Sequence, residues 1–287
     1  RITNLHRSLK PADIKHNLAT LKNVLTATAE AKRIIREFKP DVAVGTGGYV
    51  CYPVLKAASE LGVPTAVHES NAVPGLTTKM LEGSVDTIMV GFEESRANYR
   101  HPDRVEVTGT PVRVDFLNPD KAAAKRELGI PEGRPLVVSV WGSLGAAHMN
   151  EIMTDFIVRA CAKPFFNLIH SAGKAGYSRM SAALEREKPD YARLGMDVRD
   201  YIYDMPRVMA AADLVLCRAG ASTLAELTAM GKPAILVPSP NVTNNHQERN
   251  ARVLEAAGGA RVMLEQDFTA DSLLGLVSEL LQHPEQL

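Results

Sequence analysis

Apolar residues in this chain fall into short, unbroken, β-branched runs, separated by longer stretches in which apolar positions recur every three or four residues. The runs at 41–44, 65–67, 87–90, 105–107, 136–140, 167–170, 198–201, 215–217, 234–237 and 261–264 predict strands. Most are apolar throughout rather than alternating, as expected for parallel strands covered on both faces. Stretches of helical period alternate with them at 20–37, 54–61, 75–82, 122–128, 149–162, 182–187, 205–211, 222–230, 247–257 and 270–281. Such alternation predicts an α/β protein with open, doubly wound parallel sheets.

One segment breaks the pattern. Residues 118–135 hold Pro119, Pro131, Gly133 and Pro135 around a short charged helix, and predict a linker between a domain at 1–117 and a domain at 136–287. Each side carries several βα units, enough for two Rossmann-like domains with a cleft between them. Near the start, Leu21, Val24, Leu25, Thr28, Ala31, Ile34, Ile35 and Phe38 recur at helical spacing and predict a stripe packed on the sheet. Ahead of them, Arg1, His6, Arg7, Lys10, Lys15 and Lys22 lie among apolar residues. Arg1–Leu25 therefore reads either as a surface for an anionic membrane or as an ordinary solvated helix pair.

Composition narrows the classes. The 287 residues suit two domains of ordinary size, and 45% hydrophobic with 23% charged residues argues against disorder. Lys+Arg 33 against Asp+Glu 33 gives a net charge of zero and no support for a nucleic-acid partner. Cys51, Cys161 and Cys217 are far apart, which argues against a disulfide framework or a Cys-rich zinc site and fits a reducing cytoplasm. No apolar run reaches the ~18–20 residues of a membrane span, and no signal peptide pattern opens the chain.

Glycine-rich turns follow several strands. Gly45, Gly47 and Gly48 follow the first, and Gly142-Ser143-Leu144-Gly145-Ala146 follows 136–140 and leads into a helix. Strand, glycine turn and helix start together favour a bound anion, to which the Ser143 hydroxyl adds a donor. The pattern is neither a Walker loop nor GxGxxG, so nucleoside triphosphate hydrolysis and dinucleotide redox chemistry lose weight. A third turn, Arg218 to Glu226 with Gly220 at its centre, has two readings. Thr223 and Glu226 form the spacing of a capping box, or Thr223 faces a diphosphate while Glu226 accepts from a ribose. In a fourth turn, 170–174, Lys174 reads as a solvated lysine ahead of a phosphate contact.

Polar clusters lie at strand ends. His68, Glu69, Ser70 and Asn71 can hydrogen-bond a sugar hydroxyl or satisfy their own loop. Arg113, just before the linker, suits either a nucleotide or an interdomain ion pair. The amide-rich run 241–250, with His246 and Gln247, offers donors and acceptors to neutral hydroxyls. Trp141 reads as packing, and His148 and His283 as surface residues.

These pieces occur in an order that resembles glycosyltransferase family 28, the bacterial MurG-type N-acetylglucosaminyltransferases: GTGGYV (45–50), HESNAVPGLTTK (68–79), GTPVR (109–113), GSLGA (142–146), YIYDM (201–205), CRAGASTLAEL (217–227) and NNHQERNA (244–251). The resemblance implies a GT-B fold, with the sugar nucleotide held mainly by the second domain and a lipid acceptor by the first. It implies inverting transfer from UDP-N-acetylglucosamine to the C4 hydroxyl of lipid I, giving lipid II. It places Ser143 on the diphosphate and the Ile202 backbone on the uracil edge. Ala221, Ser222, Thr223, Leu224, Ala225 and Glu226 would line the diphosphate and ribose, Glu226 on the ribose hydroxyls. Gln247 with His246 would hold the sugar, Arg113 would lie beside the nucleotide, and Asn71 would shape the acceptor side.

The implied setting is peripheral, at the cytoplasmic face of the bacterial membrane, with other cell-wall synthesis proteins as further partners. Helix-terminus dipoles take the place of a metal, so neither metal nor cofactor is expected. Three departures stand out. The family's first glycine-rich loop, with a histidine regarded as catalytic, would precede residue 1, leaving His68 and Glu69 as the local candidates for the base. The chain stops before the family's usual last helical stretch, and Val140-Trp141 replaces the usual Gly-Gly before the second turn. A fragment with an incomplete acceptor site and less than full activity is the expectation. The alternatives are another GT-B enzyme acting on a UDP-sugar, such as a lipid glycosyltransferase of the diacylglycerol type or an epimerase, and an inactive UDP-sugar-binding fragment.

Overall fold

The structure, a computed structural model, describes residues 26–142, 147–188 and 190–283. The chain divides into two compact units, one ending at Thr110 and one beginning at Pro111. Both are parallel α/β units, as the alternation predicts. Among the described residues, no helix is long and apolar enough to cross a membrane.

In the first unit, β1 (Ala43–Gly45), β2 (Thr65–Glu69), β3 (Thr87–Val90) and β4 (Val105–Val107) form a parallel sheet in sequential order. Helix α1 (26–38) packs Ala31 and Ile35 against Ala57 and Ala58 of α2 (Cys51–Glu60). The apolar stripe is therefore narrower than expected, because Ile34 is 50% and Phe38 is 78% exposed. Residues 31 and 35 form one row, 34 and 38 the next, and only the first meets the flat alanine surface of α2. The earlier part of the stripe and the Arg1–Leu25 membrane reading lie outside the described residues. Gly45 is required by packing: a β-carbon there would collide with Cys51 Sγ and the Leu55 side chain, so α2 lies directly on β1. Helix α3 (Leu76–Leu81) follows β2.

The second unit starts ahead of the segment read as a linker and includes it. There α4 (Lys121–Glu127), capped by the Asp120 side chain on the Ala123 N–H at 2.8 Å, packs against α7 (Met205–Ala211). Lys121 and Lys125 both bridge to Asp213 at 2.6 Å, and Asp213 also accepts from the Leu136 N–H. Its sheet comprises β5 (Leu136–Val140), β6 (Asn167–Ser171), β7 (Met196–Arg199), β8 (Leu214–Cys217), β9 (Ala234–Leu236) and β10 (Ala260–Val262), in the order β10-β9-β8-β5-β6-β7. The order reverses at β5, which pairs with both β6 and β8. Helices α5 (Ala147–Ala160), α6 (Tyr177–Glu187), α8 (Ala221–Ala229), α9 (His246–Ala256) and α10 (Ala270–Gln282) complete the unit.

Several boundaries differ from expectation, and α6 begins at Tyr177 rather than at 182. The seventh strand runs 196–199 rather than 198–201, because Gly195, in the left-handed region at φ +91, starts the strand and receives the Leu168 N–H. Residues 200–204 are thereby released into a loop. The capping box lies at Thr269 and Ser272 of α10, not at Thr223 and Glu226.

Candidate functional site

In open parallel sheets a ligand site is expected at the carboxyl ends of the strands, where the order reverses. A cavity of about 300 Å³ lies there, within the second unit. Val140, Trp141 and Gly142 line it after β5, Ser171 after β6, and Cys217, Arg218 and Gly220 after β8. Tyr201, Ile202, Met205 and Met209 come from the 200–204 loop and α7, Thr223 and Glu226 from α8, and Gln247 from α9. The volume is at the lower bound for small-molecule sites.

Local geometry explains why these residues meet. Gly142 leaves β5 at φ +98, a conformation that other residues rarely adopt. Gly220 occupies the N-cap of α8 with no side-chain cap, and the Leu224 N–H bonds the Gly220 carbonyl at 3.0 Å. The N–H groups of Ala221, Ser222 and Thr223 precede that first helical bond and are the helix's own unpaired donors. Thr223 is the third residue of the helix, so it and Glu226, one turn on, share the cavity face. This removes the capping-box reading. Leu224 is a correction of another kind: its side chain is buried in the core and its N–H is already bonded. Ala221, Ser222 and Ala225 do not line the cavity with their side chains.

Electrostatics distinguish the Glu226 carboxyl. Burial pushes its pKa up from the ordinary glutamate value, and the Arg113 guanidinium works against that rise. Arg113 is exposed and lies over the Phe116 ring at 5.2 Å, in the approach to the α4 segment. Burial, with a contribution from Glu226, raises the Cys217 thiol to about 12, so it stays protonated.

Helix α9 presents its first turn through two asparagines. Asn244 and Asn245 both have positive φ, +57 and +51, which reverses the chain just before the helix. His246 Nδ1 donates to the Thr243 carbonyl at 2.9 Å. Gln247 Oε1 accepts from the Ser239 N–H at 2.9 Å. Asn250 does not face a ligand: it is fully buried and donates to the Ala219 carbonyl at 3.3 Å, tying α9 to the turn before α8. Trp141 is a packing residue, edge-on to Phe268 at 5.3 Å and under the Arg218 guanidinium. Lys174 is exposed, with Nζ 6.0 Å from the Tyr203 ring centre. His148 and His283 are both exposed. Ser143 and Gly145 lie outside the described residues.

In the first unit, the expected His68–Asn71 cluster stands at the end of β2. His68 Nε2 donates to the Gly109 carbonyl at 2.9 Å, so its Nδ1 is the acceptor facing the Ser70 hydroxyl at 3.4 Å. Glu69 Oε1 accepts from the backbone and side-chain N–H groups of Asn71, both at 3.1 Å. Its Oε2 accepts from the Gly75 N–H and the Thr78 hydroxyl, both at 2.9 Å. Glu69 thus folds the 70–78 loop around a buried carboxylate at the start of α3. Both side chains are engaged in hydrogen bonds within this loop and with Gly109. Gly47 and Gly48 adopt φ +84 and +79 in the turn before α2.

Comparison with known proteins adds the following. Residues 136–287 match the description "Glycosyltransferase family 28 C-terminal domain", and residues 5–90 match "Glycosyltransferase family 28 N-terminal domain". A protein of Acetivibrio thermocellus is 43% identical over 270 residues, covering 94% of this chain and 72% of its own length. One from Thermoanaerobacter sp. is 44% identical over 278 residues, covering 95% and 75%. Both are named UDP-N-acetylglucosamine–N-acetylmuramyl-(pentapeptide) pyrophosphoryl-undecaprenol N-acetylglucosamine transferase. Among solved structures, Acinetobacter baumannii MurG superposes with a TM-score of 0.73 at 28% identity, covering 93% of this chain and 72% of that one.

Proposed function

We infer that this chain, which belongs to glycosyltransferase family 28, transfers N-acetylglucosamine from UDP-N-acetylglucosamine to the C4 hydroxyl of the muramyl sugar of lipid I, giving lipid II for peptidoglycan. The observation that carries this reading is a coincidence of position. Gly142, Ile202, Thr223, Glu226 and Gln247, drawn from separate family-like blocks, line one cavity at the strand-order reversal. Residues 136–287 are read as the donor domain, 1–117 as the acceptor domain, and 118–135 as the connection between them.

In this reading UDP occupies the cavity. The Ile202 backbone meets the uracil edge, Glu226 accepts from the ribose hydroxyls, and Arg113 adds positive charge beside the nucleotide. The unpaired N–H groups at the start of α8 face the diphosphate. As the acceptor hydroxyl attacks the anomeric carbon, the bond to the diphosphate breaks and negative charge grows on the departing UDP. Fixed N–H dipoles stabilise that charge without reorganising, which is the larger part of the catalytic effect available here. A general base takes the hydroxyl proton. His68 and Glu69 hold the loop that presents Asn71 on the acceptor side. The acceptor is a membrane lipid, so the enzyme acts peripherally at the cytoplasmic face of the membrane.

Trp141 is the sole tryptophan of the chain and lines the cavity, so its fluorescence reports occupancy. Titration with UDP and UDP-N-acetylglucosamine is expected to change its emission with a stoichiometry of one. Incubation with lipid I is expected to yield lipid II and free UDP. Failure of UDP to bind, or binding that leaves a Glu226→Ala variant unaffected, would overturn the reading.

A further inference from the structure

The stretch of the second unit ahead of α4 carries one buried anchor. Between Arg113 and Leu117 the chain makes a single tight turn. The Phe116 N–H donates to the Arg113 carbonyl at 3.0 Å, and the Leu117 N–H to the Val114 carbonyl at 2.9 Å. Residues three apart eclipse one another in such a turn. Of its apolar side chains only Phe116 is fully buried, whereas Val114 is 75% and Leu117 47% exposed. The turn packs against α7, whose Met205 and Met209 line the cavity.

Eclipsing sets the Arg113 side chain over the Phe116 ring, with the guanidinium carbon 5.2 Å from the ring centre. Arg113 is exposed, and among the described residues it makes no ion pair, even with Asp115 in the same turn. A long exposed side chain samples many rotamers unless something selects one. Here the selecting partner is the buried ring, which the fold holds still.

The charge so placed acts on Glu226, where it opposes the rise that burial causes. The other charged groups around Glu226 are engaged elsewhere or exposed. Arg218, which lines the same cavity, pairs with Glu265 at 2.7 Å. On α9, which packs on α8, His246 donates to the Thr243 carbonyl, Glu248 lies 3.6 Å from Arg252, and Arg249 is exposed. The Cys217 thiol stays protonated.

We propose that Phe116 is a positioning residue for nucleotide binding: its buried ring holds the Arg113 guanidinium within electrostatic reach of Glu226. The role rests on reading the cavity as the UDP site. Its signature is coupling. Phe116 acts on binding only through Arg113, and part of the effect passes through the ionisation of Glu226, so the loss grows as pH falls.

The test measures calorimetric affinity for UDP-N-acetylglucosamine, with thermal melting of each variant. This probe carries no terminal phosphate, the group that titrates near pH ~6, so the pH dependence belongs to the protein. At about pH 7, Phe116→Leu is expected to weaken binding about threefold and Arg113→Ala about fivefold. The double variant is expected to match Arg113→Ala within about twofold, because the ring has no further effect once the guanidinium is gone. The Phe116→Leu loss is expected to grow by about a further twofold at about pH 5. A ring that only filled space would lower the melting temperature, add its loss to that of Arg113→Ala and leave the ratio independent of pH. Native affinity in a folded Phe116→Leu protein, additive losses, or a loss equal at both pH values overturns the proposal. Should Phe116→Leu fail to fold, Arg113→Lys replaces it, keeping the charge but not the planar group that lies on the ring. A loss of more than about twofold is then expected, and native affinity overturns the proposal. If the native chain binds no UDP-N-acetylglucosamine, it is the cavity reading that fails, an outcome distinct from normal binding by the variants.

Discussion

The side-chain oxygen of Gln247 accepts a hydrogen bond from the backbone N–H of Ser239, and this fixes which end of the amide remains for a ligand. Only the NH2 group is left to donate. The contact therefore suits an acceptor oxygen on the transferred sugar. Gln247→Glu keeps the bond to Ser239 and removes the donor. It is expected to weaken UDP-N-acetylglucosamine by about 1–3 kcal/mol more than it weakens UDP, which feels only the added negative charge. Competition calorimetry measures both affinities, and equal losses would rule out a sugar contact.

Glu226 must be ionised to accept from two ribose hydroxyls, and burial raises its pKa. Binding that needs the carboxylate is present above the raised pKa and declines as pH falls through it. UDP affinity is thus expected to decline on acidification at a higher pH than an ordinary glutamate would produce. Arg113→Ala removes the charge that opposes the rise, and is expected to move the decline to still higher pH. Glu226→Ala is expected to cost about 1.5–3 kcal/mol of UDP binding and to remove the carboxylate's share of the pH dependence, leaving that of the nucleotide's own terminal phosphate. Affinities between about pH 4 and about pH 7, read by Trp141 fluorescence, provide the check.

Glu69 accepts four hydrogen bonds within one loop. Glu69→Gln turns one acceptor into a donor facing donors, and is expected to destabilise the first unit by about 2–4 kcal/mol. Urea unfolding measures this. A variant of native stability that has lost only turnover would instead return Glu69 to a direct role in proton transfer.

Gly91 follows β3 where chain segments crowd together. A β-carbon at that position would lie 2.6 Å from Thr110 Oγ1 and 2.8 Å from the Ser70 carbonyl. The threonine can rotate away but the carbonyl cannot, so Gly91→Ala is expected to cost about 1–3 kcal/mol. Thermal melting would detect the loss, and an unchanged transition would mean that the strand ends yield more readily than their spacing implies.

The His170 imidazole, fully buried on β6, makes stability depend on pH. His170 is neutral in the folded protein down to about pH 3, whereas in the unfolded chain it takes up a proton below about 6.5. Between those values the unfolded state binds the extra proton, so its contribution to stability is full above the upper value and is lost as pH falls toward the lower. The native protein is expected to lose more stability between pH 7 and pH 5 than His170→Gln, by about 1–2 kcal/mol. Urea midpoints at the two pH values test the difference.

Much of the fold was legible along the chain because its signals are local. Strands such as Thr87–Val90 and helices such as Met205–Ala211 follow from unbroken apolar runs and helical periodicity within a few residues. The glycine turns announced a ligand site at strand ends, because few other residues leave a strand at φ +98 as Gly142 does. What tertiary structure decided was which partner each polar group took. His68 reaches the carbonyl of Gly109, 41 residues away, and His170 reaches Ser139, 31 residues away. Thr223 and Glu226 had the spacing of a cap, yet the helix began at Gly220 and turned both toward the cavity. Spacing along a chain records periodicity, whereas hydrogen-bond direction, burial and charge balance arise only when distant segments pack and water is excluded between them.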